Sequence, residues 1–147
     1  MIRVQRQRFD VNAEIEKLTA GNPKIGGVAT FIGFVRNESQ GDAVTAMTLE
    51  HYPGMTEKAI GKIVNDVVNR WSLGDVLVIH RYGRLAPGDF IMMVATAAKH
   101  RKEAFEAADF LMDYLKSRAP FWKKEVTDQS QDWVVSKAED ETALKRW

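Results

Sequence analysis

Residues 75–118 read DVLVIHRYGRLAPGDFIMMVATAAKHRKEAFEAADFLMDYLKSR, and the change of period inside this stretch decides the fold. Residues 75–85 and 90–97 are apolar runs rich in β-formers, and the Ala86-Pro87-Gly88-Asp89 turn between them predicts a strand and its partner. From residue 100 to 118 the spacing becomes helical, with Ala104, Ala107, Ala108, Leu111 and Leu115 on one face, until Pro120 stops the helix. An earlier helix is predicted after the Pro53-Gly54 break, with Thr56 as its cap. Its stripe is Ala59, Ile60, Ile63, Val64, Val67, Val68 and Trp71.

The flanks follow the same logic. Residues 2–8 alternate Ile2 and Val4 with Arg3 and Gln5, which predicts a short edge strand. Asp10 is placed to cap a helix over residues 11–20, and Gly21 to end it. Residues 26–35 predict a buried strand ending at Arg36, residues 37–42 a loop, and residues 43–52 a second strand. The two strands are compatible with a hairpin. Residues 121–127 and 133–136 read as short strands and residues 138–147 as a helical tail. Strands interleaved with about three helices in a hairpin-rich order point to an α+β fold with antiparallel strands, in a single domain over residues 1–147, rather than a doubly wound parallel sheet.

Composition narrows the function. The 147 residues are 45% hydrophobic and 28% charged, which excludes disorder and fibrous repeats. Twenty-one Lys and Arg oppose 20 Asp and Glu, so the net charge of +1 is not that of a dedicated nucleic-acid domain. There is no cysteine, which removes disulfides, thiolate metal sites, iron–sulfur ligation and any cysteine nucleophile or persulfide carrier. Residues 1–6 show no apolar signal region. The longest apolar run, residues 90–98, is under half of a membrane-spanning helix, so a cytoplasmic location is expected. Dinucleotide loop, P-loop, serine elbow and H-E-x-x-H helix are all missing. His51, His80 and His100 lack metal-ligand spacing, so no metal and no cofactor is assigned. Lysine, arginine and histidine remain as tools.

Lys99-His100-Arg101-Lys102 falls at the start of the long helix, where cations oppose the helix dipole and free N–H groups favour an anion. Two readings stand: a phosphate or carboxylate site, or solvated side chains compensated by Glu103 and Glu106. At the other end lie Lys116, Arg118, Lys123 and Lys124 with no acid between Lys116 and Lys124. Cations suit a helix C-terminus without any function. Yet strand alternation puts Phe121, Lys123 and Glu125 on one face and Trp122 with Lys124 on the other, beside Leu115 and Pro120. A lysine emerging among aromatics and other cations is driven toward its neutral, basic form. Arg36 at a strand tip can act as a phosphate fork or simply be solvated. His51 and His80 read as structural.

Taken together, several stretches resemble the large, catalytic subunit of molybdopterin synthase. They are Gly33-Phe34-Val35-Arg36, Glu50-His51-Tyr52-Pro53-Gly54, His80-Arg81-Tyr82-Gly83, His100-Arg101, Asp113-Tyr114-Leu115-Lys116, Pro120-Phe121-Trp122-Lys123-Lys124-Glu125 and Lys145-Arg146-Trp147. The resemblance implies an α/β-hammerhead fold and a homodimer within a heterotetramer. A small ubiquitin-like sulfur-carrier subunit binds at each end, carrying sulfur as a thiocarboxylate on its C-terminal Gly-Gly. The implied reaction converts cyclic pyranopterin monophosphate to the dithiolene molybdopterin in molybdenum cofactor biosynthesis. Residue by residue it implies Lys116 and Lys123 as the catalytic pair. Phe34, Val35, Arg36, His100, Arg101, Lys124 and Glu125 join them in binding substrate. Lys137 stands where the family often has an arginine that reaches the neighbouring protomer, and lysine keeps the charge but loses the bidentate fork. A sulfur that arrives on a partner also fits a chain without thiols. Two competing readings are a nucleic-acid module and a non-catalytic scaffold for a tail-bearing partner.

Overall fold

A computed structural model describes residues 1–39, 41–127, 131–133 and 138–147. Among the described residues nine strands and four α-helices follow one another: β1 Ile2–Gln5, α1 Val11–Thr19, β2 Gly27–Phe34, β3 Glu38–Ser39, β4 Asp42–His51, α2 Met55–Arg70, β5 Leu73–Arg81, β6 Gly83–Leu85, β7 Phe90–Ala98, α3 Arg101–Arg118, β8 Phe121–Thr127, β9 Gln131–Trp133 and α4 Ala138–Ala143, with a 3-10 turn at Leu144–Arg146. The expected α+β architecture is present. The first sheet has the order β1-β5-β7-β2. The second runs β3-β4-β8-β9, with β6 also pairing with β4.

The continuous apolar character of β5 and β7 follows from burial on both faces. Val76 and Val78 point into the core shared with α2 and α3, whereas Leu77 and Ile79 join Phe9 and Leu18 on the α1 side. On α3, Ala104, Ala107, Ala108, Leu111 and Leu115 are all buried as the spacing predicts, and Phe110 with them. The small alanines let the helix sit close enough for Thr96 Oγ1 to donate to the Ala104 carbonyl at 2.6 Å. On α2, Ile60, Ile63 and Val67 are buried, but Val68 lies on the solvent side. Asp10 caps α1 as predicted, its carboxylate accepting from Ala13 N at 3.0 Å.

Four expectations are corrected. The strand within residues 26–35 is not a buried one. It is β2, the outer strand of the first sheet, paired along its length with β7, and it leaves Phe31 and Phe34 about half exposed. It forms no hairpin with β4, which lies in the other sheet. The doubly buried β7 needs hydrogen-bonding neighbours on both sides, and β5 and β2 supply them. The run over residues 75–85 is two strands, because Gly83, at φ 91°, turns β6 out of the first sheet and onto β4, with Leu49 opposite Gly83. Thr56 is not the helix cap. Gly54 takes that position at φ 82°, and the Glu57 carboxylate accepts from its N–H at 2.7 Å. The edge strand at the N-terminus is correct, though β1 runs parallel to β5.

Thr56 does something more useful. Fully buried, its hydroxyl accepts from Tyr52 N and donates to the Pro120 carbonyl, both at 3.0 Å, and so pins the end of β4, the start of α2 and the start of β8 together. Thr56→Val keeps the shape and leaves two part-buried backbone groups without their hydroxyl partner. It should lower unfolding free energy by about 1–3 kcal/mol in urea titrations, whereas Thr56→Ser should lose less than half as much.

Candidate functional site

The pin at Pro120 fixes the corner between α3 and β8, and the two lysines flank that corner. Lys116 is in the last turn of α3 and Lys123 is the third residue of β8. Lys116 is close enough for its charge to act on the Lys123 amine. Strand alternation works as predicted: Phe121 packs against the main core on the face that carries Lys123, while Trp122 is exposed on the other. Burial is the largest influence on Lys123 and the Lys116 charge the next. Together they push its pKa down to about 8, against the smaller opposing pull of Glu125 and Asp140. An amine with that pKa exchanges its proton readily near neutral pH.

Beneath the pair is an aromatic layer that sequence reading left as structural. His80 stacks on Phe121 with ring centroids 3.7 Å apart, and His51 lies 4.3 Å from Tyr82 and 6.4 Å from Phe121. A carbonyl only accepts, so the 2.9 Å contact to Arg81 O puts the proton of His80 on Nδ1. Burial, followed by the charges of Lys123, Lys116 and His51, pulls the His80 pKa down to about 4, and the ring stays neutral. The C-terminal helix closes the other side, where Ser117 Oγ donates to the Asp140 carbonyl at 3.0 Å. Asp140 had no sequence signal, because nothing local ties the tail to the lysines.

The remaining candidates divide by place. β2 runs antiparallel to β7, with Gly27 opposite Ala98 and Phe34 opposite Phe90, so Arg36 lies away from the start of α3 and toward its lysine end. The Val35 N–H donates to Asp89 O at 2.9 Å and its carbonyl accepts from Gly88 N at 2.8 Å, so its backbone anchors the strand tip. Arg36 itself is exposed, in an open groove of about 660 Å³ with Asn37, Glu38, Pro87 and Gly88, and Phe34 is exposed beside it. Glu125 acts on Lys123. Lys124 points away, its Nζ 5.7 Å over the Trp133 ring. On that reverse face a second groove, about 330 Å³, is lined by Glu50, His51, Tyr52, Trp122 and Trp133. Lys137 lies outside the described residues.

His100 and Arg101 are not brought to the lysines within one chain. At 1.5 Å per residue, the helix puts about 22 Å between Arg101 and Lys116. The compensating role of the nearby acids is not seen either. Glu106 accepts from Trp71 Nε1 at 3.0 Å, and among the described residues none of Lys99, His100, Arg101 and Lys102 enters an ion pair. Among the described residues no three histidine, aspartate or glutamate side chains group as a metal site, and no helix is long and apolar enough to cross a membrane.

Fold and site define an α+β protein with a half-buried lysine beside an exposed one at one end of a long helix and, among the described residues, a basic cluster without ion pairs at the other. The sequence pattern of the MoaE protein family matches residues 4–118. The molybdopterin synthase catalytic subunit of Ralstonia nicotianae is 58% identical over 99% of this chain and 83% of its own length. The solved structure of the molybdopterin biosynthesis MoaE protein from Burkholderia ambifaria is 53% identical, covering all of this chain and 97% of that one, with a TM-score of 0.86. A Helicobacter pylori structure described as a complex of subunits 1 and 2 of molybdopterin-converting factor shares the fold at 17% identity, TM-score 0.75, over 92% of this chain and 91% of that one. The chain belongs to the MoaE family of molybdopterin synthase catalytic subunits.

In the folded chain Lys123 loses its proton near 8, against an ordinary 10.5. Between those values the folded state binds fewer protons than the unfolded one, so stability should rise with pH across the window. Replacing Lys116 by Met removes a like charge. It should raise the Lys123 midpoint and narrow the window, as read by amine titration and urea unfolding from pH 7 to about 11.

Proposed function

We propose that this chain converts cyclic pyranopterin monophosphate to molybdopterin, taking sulfur from the C-terminal thiocarboxylate of a small ubiquitin-like partner, as a homodimer within a cytoplasmic heterotetramer. Residues 1–147 would act as one such catalytic unit. The observation that carries the reading is the convergence of Lys116 and Lys123, with Lys123 desolvated to a pKa of about 8.

Below that pH Lys123 is an ammonium with few water partners, suited to hold an incoming thiocarboxylate and then the oxyanion that develops as sulfur leaves the acyl carbon. The arriving anion raises the pKa of Lys123 and keeps it charged while bound. Lys116, more exposed on the helix end, handles proton transfer or transient covalent attachment at the substrate carbon. Arg36, on a backbone-anchored tip at the same end of α3, supplies a fork for the phosphate. Phe34 beside it offers an exposed ring to the pterin, while Lys124 and Glu125 frame the tail's path on the two faces of β8. The length of α3 makes the homodimer part of the chemistry. His100 and Arg101 serve a lysine pair only when a second copy presents its helix start to the first. The described residues leave these cations without ion-pair partners. Lys137 is assigned to the same cross-protomer contact.

Reconstitution with thiocarboxylated partner and a molybdopterin assay tests the reading. Lys116→Ala should abolish dithiolene formation while partner binding persists, and near-normal turnover would contradict the assignment. Dimers mixing a Lys123→Ala copy with an Arg101→Ala copy carry one intact site of two, and should recover about half of the wild-type dimer's activity. Mixed dimers as inactive as either parent would refute the shared site. Wild-type protein that binds the partner without product would instead support a scaffold.

A further inference from the structure

We infer that His80 is a positioning residue for the sulfur-transfer site: stacked flat on Phe121, it holds the inner face of β8 against the end of β5 and so keeps Lys123 in its water-poor place beside Lys116. This rests on the lysine-pair reading and adds a residue that touches neither substrate nor partner tail.

The geometry is specific. His80 is 7% exposed, and its ring plane lies 16° from that of Phe121 at 3.7 Å. Two residues on, along the same face of β8, is Lys123. β5 and β8 belong to different sheets, so no ladder hydrogen bond joins them, and the ring stack is a direct side-chain contact that does. The imidazole is itself fixed. Its Nδ1–H donates to the Arg81 carbonyl, at the point where Tyr82 and Gly83 carry the chain out of the first sheet. Arg81 is held in turn, Nε donating to Arg6 O and Nη1 to Phe90 O, both at 3.0 Å. The support beneath Lys123 is therefore anchored in three strands of the first sheet or their ends.

A flat ring that stays neutral suits the place. The charged groups around Lys123 are Lys116 on α3, Glu125 on β8 and Asp140 on α4. Those acting on His80 are Lys123, Lys116 and His51 on β4. A protonated ring would add a third positive charge under the amines. The backbone hydrogen bond commits Nδ1, and burial among cations disfavours a second proton.

The test is a titration of lysine side-chain nitrogens by NMR in the full-length chain, with the Lys123 signal assigned by its loss in Lys123→Arg. His80→Leu fills the space without a flat ring, and His80→Phe keeps the ring but not the Arg81 hydrogen bond. With His80→Leu the Lys123 midpoint should move up from about 8 toward its ordinary 10.5, and kcat for molybdopterin formation should fall about tenfold or more with KM nearly unchanged. With His80→Phe the midpoint should stay within a few tenths of wild type. The inference is overturned by a Leu variant whose Lys123 titrates as in wild type, or by a Phe variant that shifts as far as Leu. A merely structural role would lower the melting temperature and leave the midpoint in place. Failure of wild-type protein to make molybdopterin would sink the proposed function but leave the titration readable.

Discussion

Two ammonium groups side by side repel, and withdrawing one of them from water costs more still, so the fold must hold Lys116 and Lys123 together against both effects. Among the described residues it does this with rigid neighbours rather than with an ion-paired counter-charge. The last turn of α3 fixes one amine, the first residues of β8 fix the other, and the hydroxyl of Thr56 clamps the Pro120 corner between them. Glu125 and Asp140 soften the repulsion without cancelling it. An arriving anion relieves that repulsion, which is the physical basis of the tail-binding role proposed for the pair.

The rest of the architecture serves that corner. Burial of β5 and β7 on both faces gives an incompressible slab, with α1 on one side and α2 and α3 on the other. From this slab β6 crosses to the second sheet and pairs with β4, which also carries β8. The aromatic layer of His80, Phe121, His51 and Tyr82 fills the seam where the sheets meet. The C-terminal segment is tied down independently. Arg146 pairs with Asp109 and Asp113 at 2.8 and 2.6 Å, and Trp147 packs on Trp71 and Phe110, which brings α4 and Asp140 alongside the site.

The long helix also acts as a spacer. Its stripe of buried alanines and leucines packs it on β7 and β2, so the basic cluster at its start and Lys116 at its end stay a helix length apart. On the proposed reading, a phosphate-bearing substrate that needs both cationic groups is matched to an assembly of two chains rather than to one.

Much of this was legible in the residues. Helical spacing located α2 and α3, alternation located β8 and put Lys123 on the Phe121 face, and the Asp10 cap and the Ala86-Pro87-Gly88-Asp89 turn stood where their chemistry required, because all of these are set within a few residues. Composition alone removed thiol chemistry. Partners of strands were not legible: β2 chose β7 over β4, and Gly83 split one run between two sheets, since an apolar run does not say which ladder completes its hydrogen bonds. Nor could the order of residues show that a histidine read as structural lies under the lysines, that Asp140 faces them, or that His100 and Arg101 stand a helix length away. Sequence determined which side chains could become cationic tools. Only the packed chain decided which of them lose water and meet, because desolvation and proximity are properties of neighbours distant along the chain.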